Sequence, residues 1–322
     1  MRHAIVSNVV HLRAFIALFF ATAVLSAQPF IVDTDAGSDD VLAVALLLSH
    51  HLPIDAITVV NGMAHVDAGA RKMRQLVEIA GSGAIPVYEG RGSPLRGSNE
   101  FPADWRAASD DLLFGLPAPS RPPETHAAAD YLVRRLRIKQ PRHARILALG
   151  PLTNIAEALQ RDPSVARSIF EIVIMGGAIR VPGNAPRKSA EWNMYIDPLA
   201  AQIVFRSGVP IRLITLNATN EVPISAEFVH DFEGAALSPL GRVAAEVLKS
   251  DRETIEAGTF YAWDPLAAAA LLDARIVRTV PMHIEIQDDG RTIASRGEPN
   301  AKVAVGADAH AFRALFLQSF GK

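Results

Sequence analysis

The chain has 322 residues, 49 % of them hydrophobic, with a formal net charge of −2 and no cysteine. That much apolar chain can bury a sizeable core in one large domain or two small ones, while a charge near zero carries no polyanion-binding signal, so nucleic acid is not an expected partner. Without cysteine, disulfides and a cysteine-linked lipid anchor are excluded.

In chain order, basic Arg2 and Arg13 come first, then the apolar run Ala14–Leu25, then Ser26-Ala27 as small residues for cleavage before Gln28. This is the pattern of a secretory signal peptide. Its apolar run is only about twelve residues, well short of the roughly twenty that a membrane-spanning helix needs. Residues 1–27 are therefore expected to be removed, leaving no stable membrane span, a periplasmic or secreted location, and a single domain over residues 28–322.

Phe30, Ile31 and Val32 then read as a buried strand, Gly37 as a turn, and Val41, Leu42, Val44, Ala45 and Leu48 as the apolar face of a helix that Ser38 or Asp39 can cap. Between strand and helix stand four aspartates, Asp33, Asp35, Asp39 and Asp40. Unpaired, they would repel and raise one another's pKa values, whereas a hard divalent ion bound by oxygen would hold them ionised. Calcium or magnesium fits best. An EF-hand loop is excluded, because counting from Asp33 the fifth position is Gly37 and the twelfth is Val44. A haloacid-dehalogenase strand is excluded by Gly37 and the two acids after it.

Downstream, strands are expected at Ile54–Val60, Ile85–Tyr88, Ile146–Leu149, Ile169–Met175 and Ile211–Leu216, alternating with helices at Val66–Ala80, Thr125–Lys139, Thr153–Arg161 and Pro198–Ser207. The stretch Leu116–Pro123 reads as a surface loop, and Met282–Gln287 with Lys302–Val305 as a late strand pair. Such alternation predicts an α/β fold with a mostly parallel central sheet and helices on both faces. The acidic corner, Asn61, Gly150 and Gly176 then converge at strand ends on one side, where open α/β sheets bind ligands. No helical H-x-x-x-H, G-x-S-x-G or P-loop is present, and His65, His126 and His230 read as surface or capping residues.

The run from Asp33 to Asp40 resembles the D-x-D-x-G-x-D-D signature of the nucleoside hydrolases, the inosine-uridine-preferring family that cleaves N-ribosidic bonds. Three more segments follow in the family's order: Gly150-Pro151-Leu152-Thr153-Asn154, Glu191-Trp192-Asn193 leading to Asp197-Pro198, and Trp263-Asp264-Pro265. The resemblance covers about Pro29 to Ala270. It implies Ca²⁺ held by Asp35, Asp40, the main-chain carbonyl of Thr153 and Asp264, with Asp35 as the base that deprotonates the attacking water. It further implies that Asp39, Glu191 and Asn193 grip the hydroxyls of a small-molecule ribonucleoside and that Asp33 orients the shell from behind. Where the family often has a Gly-Asn pair contacting ribose, this chain reads Asn61-Gly62-Met63, so either Asn61 takes over or the contact is absent, and Asn184 is the candidate for a further ribose contact. Family relatives are often dimers or tetramers, so a homodimer or homotetramer is expected. Where many members carry a histidine acid before the late aspartate, this chain has Trp263, a flat surface on which a purine can stack, with Trp105 in the loop Gly97–Leu116 as a possible opposing face and Phe260 or Tyr261 beside it. The other reading is a periplasmic protein that captures ribosides without cleaving them.

Overall fold

The computed structural model describes residues 30–137 and 142–321. The expected signal peptide, residues 1–27, lies outside the described residues, as do Ile138 and Lys139 of the helix expected at Thr125–Lys139, which runs as Ala128–Leu136.

Strands β1 (Phe30–Thr34), β2 (Ile54–Val59), β3 (Val87–Glu89), β4 (Ala144–Ala148), β5 (Ile169–Met175), β6 (Ile211–Ile214), β7 (Val277–Ile286), β8 (Thr292–Ser295) and β9 (Ala301–Ala307) form one sheet. Their order is β3-β2-β1-β4-β5-β6-β9-β7-β8. β1 to β6 pair in parallel and β9 joins β6 in parallel, while β7 runs antiparallel to both β8 and β9. The sequence shows why: β1 and β4 are buried throughout and β5 nearly so, the continuous apolar pattern of a parallel strand covered on both faces. On one face Phe30 and Val32 pack with the helices Ser38–Ser49, Val66–Ile79, Pro239–Ser250 and Trp263–Leu272. On the other, Ile31, Ile146 and Ile172 pack with the helices Ala128–Leu136, Thr153–Arg161 and Pro198–Phe205.

Two consequences position the acidic corner. Because successive strand side chains alternate, Asp33 joins Ile31 on the face of helix Thr153–Arg161, whereas Thr34 points to the opposite face. Because the chain moves from β1 to β2 and β3 on one side, and through β4, β5 and β6 on the other, the order reverses between β1 and β4. A crevice opens at the carboxyl ends of strands at such a reversal.

The structure departs from the sequence expectations in three places. Gly37, not Ser38 or Asp39, is the N-cap of helix Ser38–Ser49, and Asp40 reaches back to its N–H. The segment Gly97–Leu116 holds the helix Ala103–Asp111, whose buried residues are the polar Arg106 and Ser109, so no apolar period announces it. The late strand pair is real but longer, and β8 joins it through the turn at Gly290. Leu116–Pro123 is a largely exposed loop as expected. Among the described residues no helix is long and apolar enough to cross a membrane.

Candidate functional site

Asp35 lies at the reversal, just past the end of β1. Its side chain is enclosed by backbone: a Cβ added to Gly62, after β2, would fall 2.1 Å from its Oδ2, and one added to Gly150, after β4, would fall 2.9 Å from its Cβ. Only glycine permits this approach. The Met63 N–H donates to Asp35 Oδ2 at 2.9 Å. Asp40 is held from two directions, by the Thr34 hydroxyl on Oδ1 and by the Gly37 N–H on Oδ2 at 2.9 Å.

Carboxylate oxygens of Asp39, Asp40 and Asp264 all lie within 4.8 Å of one another, although Asp264 is more than two hundred residues further along the chain. Asp264 enters from the first turn of helix Trp263–Leu272, and its Oδ1 is buried with no hydrogen-bond partner. Burial pushes the carboxyls of Asp35, Asp39 and Asp264 well above the ordinary range, and the charges of their neighbours push them further: Asp40 acts on Asp35 and on Asp39, while Asp39, Asp40 and Asp35 act on Asp264. A buried carboxylate oxygen without a donor, set among carboxylates that repel it, is the arrangement that a hard cation with oxygen ligands satisfies. The donor set therefore fits a metal ion. Of the expected ligands, Asp40 and Asp264 meet directly, Asp35 stands beside Asp40, and Asp39, expected on the ribose, is the third member of the close trio. Thr153 is buried as the first residue of its helix, and its hydroxyl donates to Asp197 Oδ2 at 2.8 Å.

Asp33 points away from the trio. Its Oδ1 accepts from Thr58 Oγ1 at 2.5 Å and Asn154 Nδ2 at 2.8 Å, while Oδ2 is buried without a partner. Desolvation outweighs those two bonds and lifts its pKa to about 7. It braces the end of β1 against β2 and helix Thr153–Arg161.

Two of the expected sugar contacts, Glu191 and Asn193, sit at the turn Met175-Gly176-Gly177 after β5. Glu191 caps the short helix Trp192–Ile196, accepting from Asn193 N at 2.9 Å on Oε1 and from Gly177 N at 3.0 Å on Oε2. Burial raises its pKa and these backbone donors oppose the rise. Asn193 donates from Nδ2 to the Leu149 carbonyl at 2.6 Å and to the Met175 carbonyl at 3.2 Å, so it ties the ends of β4 and β5 and has its oxygen left to offer. Asn184 is exposed, with its Oδ1 on Trp192 N at 3.1 Å. Asn61, two residues past β2, is 4 % exposed.

The aromatic candidates fall in two groups. Trp263 is half-buried, in edge contact with Phe260 at 5.5 Å and tilted against Tyr261 at 5.9 Å. Trp105 is 47 % exposed and meets Trp192 edge-on at 5.9 Å, Trp192 itself being stacked on Phe101 at 4.5 Å. Among the described residues no ring contact joins Trp105 to Trp263.

Several residues of this neighbourhood were not anticipated. Lys72 is fully buried, and its ammonium donates to the Ala36 carbonyl and to the carbonyl and hydroxyl of Ser109. Desolvation lowers its pKa to about 8. A signal existed, since Lys72 falls on the buried stripe Gly69, Met73 and Leu76 of its helix. Arg106 donates to Asn61, and Asp251 faces the corner with its pKa raised by burial to about 6. Neither has a sequence signature, because each reaches the site only through the folded chain.

The model of the family described as inosine-uridine preferring nucleoside hydrolase matches residues 30–314. The chain is 32 % identical over 310 residues to a pyrimidine-specific ribonucleoside hydrolase of Citrobacter koseri, covering 91 % of this chain and 97 % of that one. Among solved structures, a plant nucleoside hydrolase superposes with a TM-score of 0.83 at 30 % identity, over 91 % of this chain and 99 % of that one. A purine-preferring ribonucleoside hydrolase from Gardnerella vaginalis superposes at 0.79 with 27 % identity, over 91 % and 98 %.

Proposed function

This chain belongs to the inosine-uridine preferring nucleoside hydrolase family, and on that premise we propose that it hydrolyses the N-glycosidic bond of ribonucleosides at a Ca²⁺ site, favouring purine bases. The observation that carries the reading is the meeting of Asp39, Asp40 and Asp264 within 4.8 Å beside Asp35. Asp35, Asp40, Asp264 and the Thr153 carbonyl would hold the ion, with Asp39 against it. Bound there, Ca²⁺ would acidify and place a water and engage the ribose 2′- and 3′-hydroxyls.

The remaining work falls to side chains. Water adds to C1′ as the C1′–N bond breaks, and the base leaves with the bonding electron pair. Asp35, fixed by the Met63 N–H and made more basic by burial, takes the proton of the attacking water. The departing sugar acquires oxocarbenium character, and the surrounding carboxylates stabilise that positive charge more than they stabilise the neutral substrate. Glu191 and the Asn193 oxygen would accept hydrogen bonds from the ribose hydroxyls. Trp263 offers its ring to the base, which is protonated from solvent as it departs. The reading includes export through residues 1–27 to the periplasm or beyond and assembly as a homodimer or homotetramer.

The test is a panel of inosine, adenosine, uridine and cytidine incubated with the protein in Ca²⁺ and in chelator, with free base as the readout. Base should appear only with metal, faster from purine ribosides, and Trp263→Ala should depress purine-riboside turnover far more than that of a ribose with an activated leaving group. Release from pyrimidine ribosides alone would defeat the purine reading. No release from any riboside would favour a non-catalytic riboside-binding protein.

A further inference from the structure

Two buried cations tie the helix Ala103–Asp111 to the crevice. Lys72 joins Ser109 of that helix to the Ala36 carbonyl of the acidic corner. Arg106, 7 % exposed, donates from Nη2 to Asn61 Oδ1 at 3.0 Å and from Nη1 to the exposed Glu100 at 3.1 Å. Its Nε is buried without a partner. A guanidinium this enclosed costs free energy unless its donors are used, and Asn61 is the buried partner that uses one.

The contact has a chemical consequence for Asn61. An amide can turn either its oxygen or its N–H groups toward a ligand, but a guanidinium has donors only, so the Asn61 oxygen must face Arg106 and Nδ2 is what remains. Of the other side chains expected on the sugar, only the exposed Asn184, whose oxygen accepts from Trp192 N, keeps its N–H groups. The aspartates and Glu191 are acceptors, and Asn193 has spent its N–H groups on the Leu149 and Met175 carbonyls. Asn61 directly precedes Gly62, which packs on the Asp35 carboxylate, and is itself buried beside the acidic corner.

We propose that Arg106 is a positioning residue that locks Asn61 as a hydrogen-bond donor to an oxygen of the pentose. This rests on the ribonucleoside reading above, and because the pentose is common to all ribosides, its loss is felt whatever the base.

The experiment uses the full calcium-loaded protein. Arg106→Met should raise KM for inosine, uridine and a nitrophenyl riboside alike by roughly five- to tenfold, the worth of one neutral hydrogen bond, with kcat changed less. The Kd for free ribose, read by calorimetry without turnover, should rise by the same factor. Arg106→Lys keeps a donor and should recover part of the loss. In an Asn61→Ala background, Arg106→Met should add less than about twofold, since both changes remove one coupled contact. Asn61→Asp keeps a partner for Arg106 but replaces donors by acceptors, and should bind ribose at least as poorly as Asn61→Ala. The proposal is overturned by normal ribose affinity in Arg106→Met, by full additivity with Asn61→Ala, or by wild-type affinity in Asn61→Asp. A wild-type protein that binds ribose yet frees no base sinks only the hydrolase reading, and the ribose affinities still decide this one.

Discussion

Removing the metal should make the protein less stable as pH rises from 5 to 8, and Ca²⁺ should cancel that trend. Asp33 shows the arithmetic. Its ordinary pKa is 3.8 and burial lifts it to about 7 in the folded chain. Between those values the folded state holds a proton that the unfolded state has released, so stability is greatest below about pH 4 and declines until the folded group also ionises. From pH 5 to 8 the unfolded carboxyl is already ionised while the folded one keeps its proton until about pH 7, so the loss runs over roughly two pH units, about 3 kcal/mol. For a chain of this size that is a fall in Tm of roughly 5–10 °C. Asp35, Asp39 and Asp264 act in the same direction, each raised first by burial and then by neighbouring carboxylates, and Asp251, raised to about 6, joins them. An ion at a concentration of about a hundred times its Kd adds about 2.7 kcal/mol, and more at higher pH, because it binds the deprotonated ligands. Differential scanning calorimetry at pH 5, 6, 7 and 8, in chelator and in millimolar Ca²⁺, reads both slopes. A metal-free Tm that is level or climbs with pH, or equal slopes with and without calcium, would refute the reasoning.

Asp35→Asn keeps an acceptor for the Met63 N–H but removes the proton acceptor, so kcat should drop by about 10²–10⁴-fold while calcium and ribose still bind, and near-normal kcat would remove Asp35 from the base role. Lys72→Met deserts two buried carbonyls, a loss of about 2–4 kcal/mol, but also relieves a desolvated ammonium whose pKa is depressed to about 8, a gain of similar size. Its Tm should therefore move by only a few degrees, while amide hydrogen exchange within Ala103–Asp111 accelerates at least tenfold, because the tie at Ser109 is gone. Unchanged exchange there would show that Lys72 does not anchor the helix.

The parallel sheet was legible because β1, β4 and β5 are nearly unbroken apolar runs bounded by turn residues, and each leads into a helix with its own apolar stripe. The acidic corner was legible for a different reason: carboxylates crowded at a strand end have few purposes other than holding a cation. What resisted was structure made from polar contacts. Helix Ala103–Asp111 buries Arg106 and Ser109 against Asn61 and Lys72, and a helix held by hydrogen bonds rather than by apolar area leaves no period to detect. Helix Ser38–Ser49 is apolar almost all round, so its pattern located the element but not its cap, and the reach of Asp40 back to Gly37 appears only in the folded corner.

Residue type also carries no direction, and direction decides what the site can recognise. Asn61 and Asn193 are the same amide, expected from the chain to serve the same sugar, yet the fold spends the oxygen of one on Arg106 and the N–H groups of the other on Leu149 and Met175. One is left a donor and its twin an acceptor. A pentose presents hydroxyl protons and bare oxygens together; the aspartates and Glu191 answer the protons, while an oxygen that the ion would not engage calls for an N–H donor. Asn61 supplies that donor and Asn193 a further acceptor, and each orientation involves a buried contact more than forty residues away in sequence, Arg106 for one and Leu149 for the other, rather than only the motif that contains it.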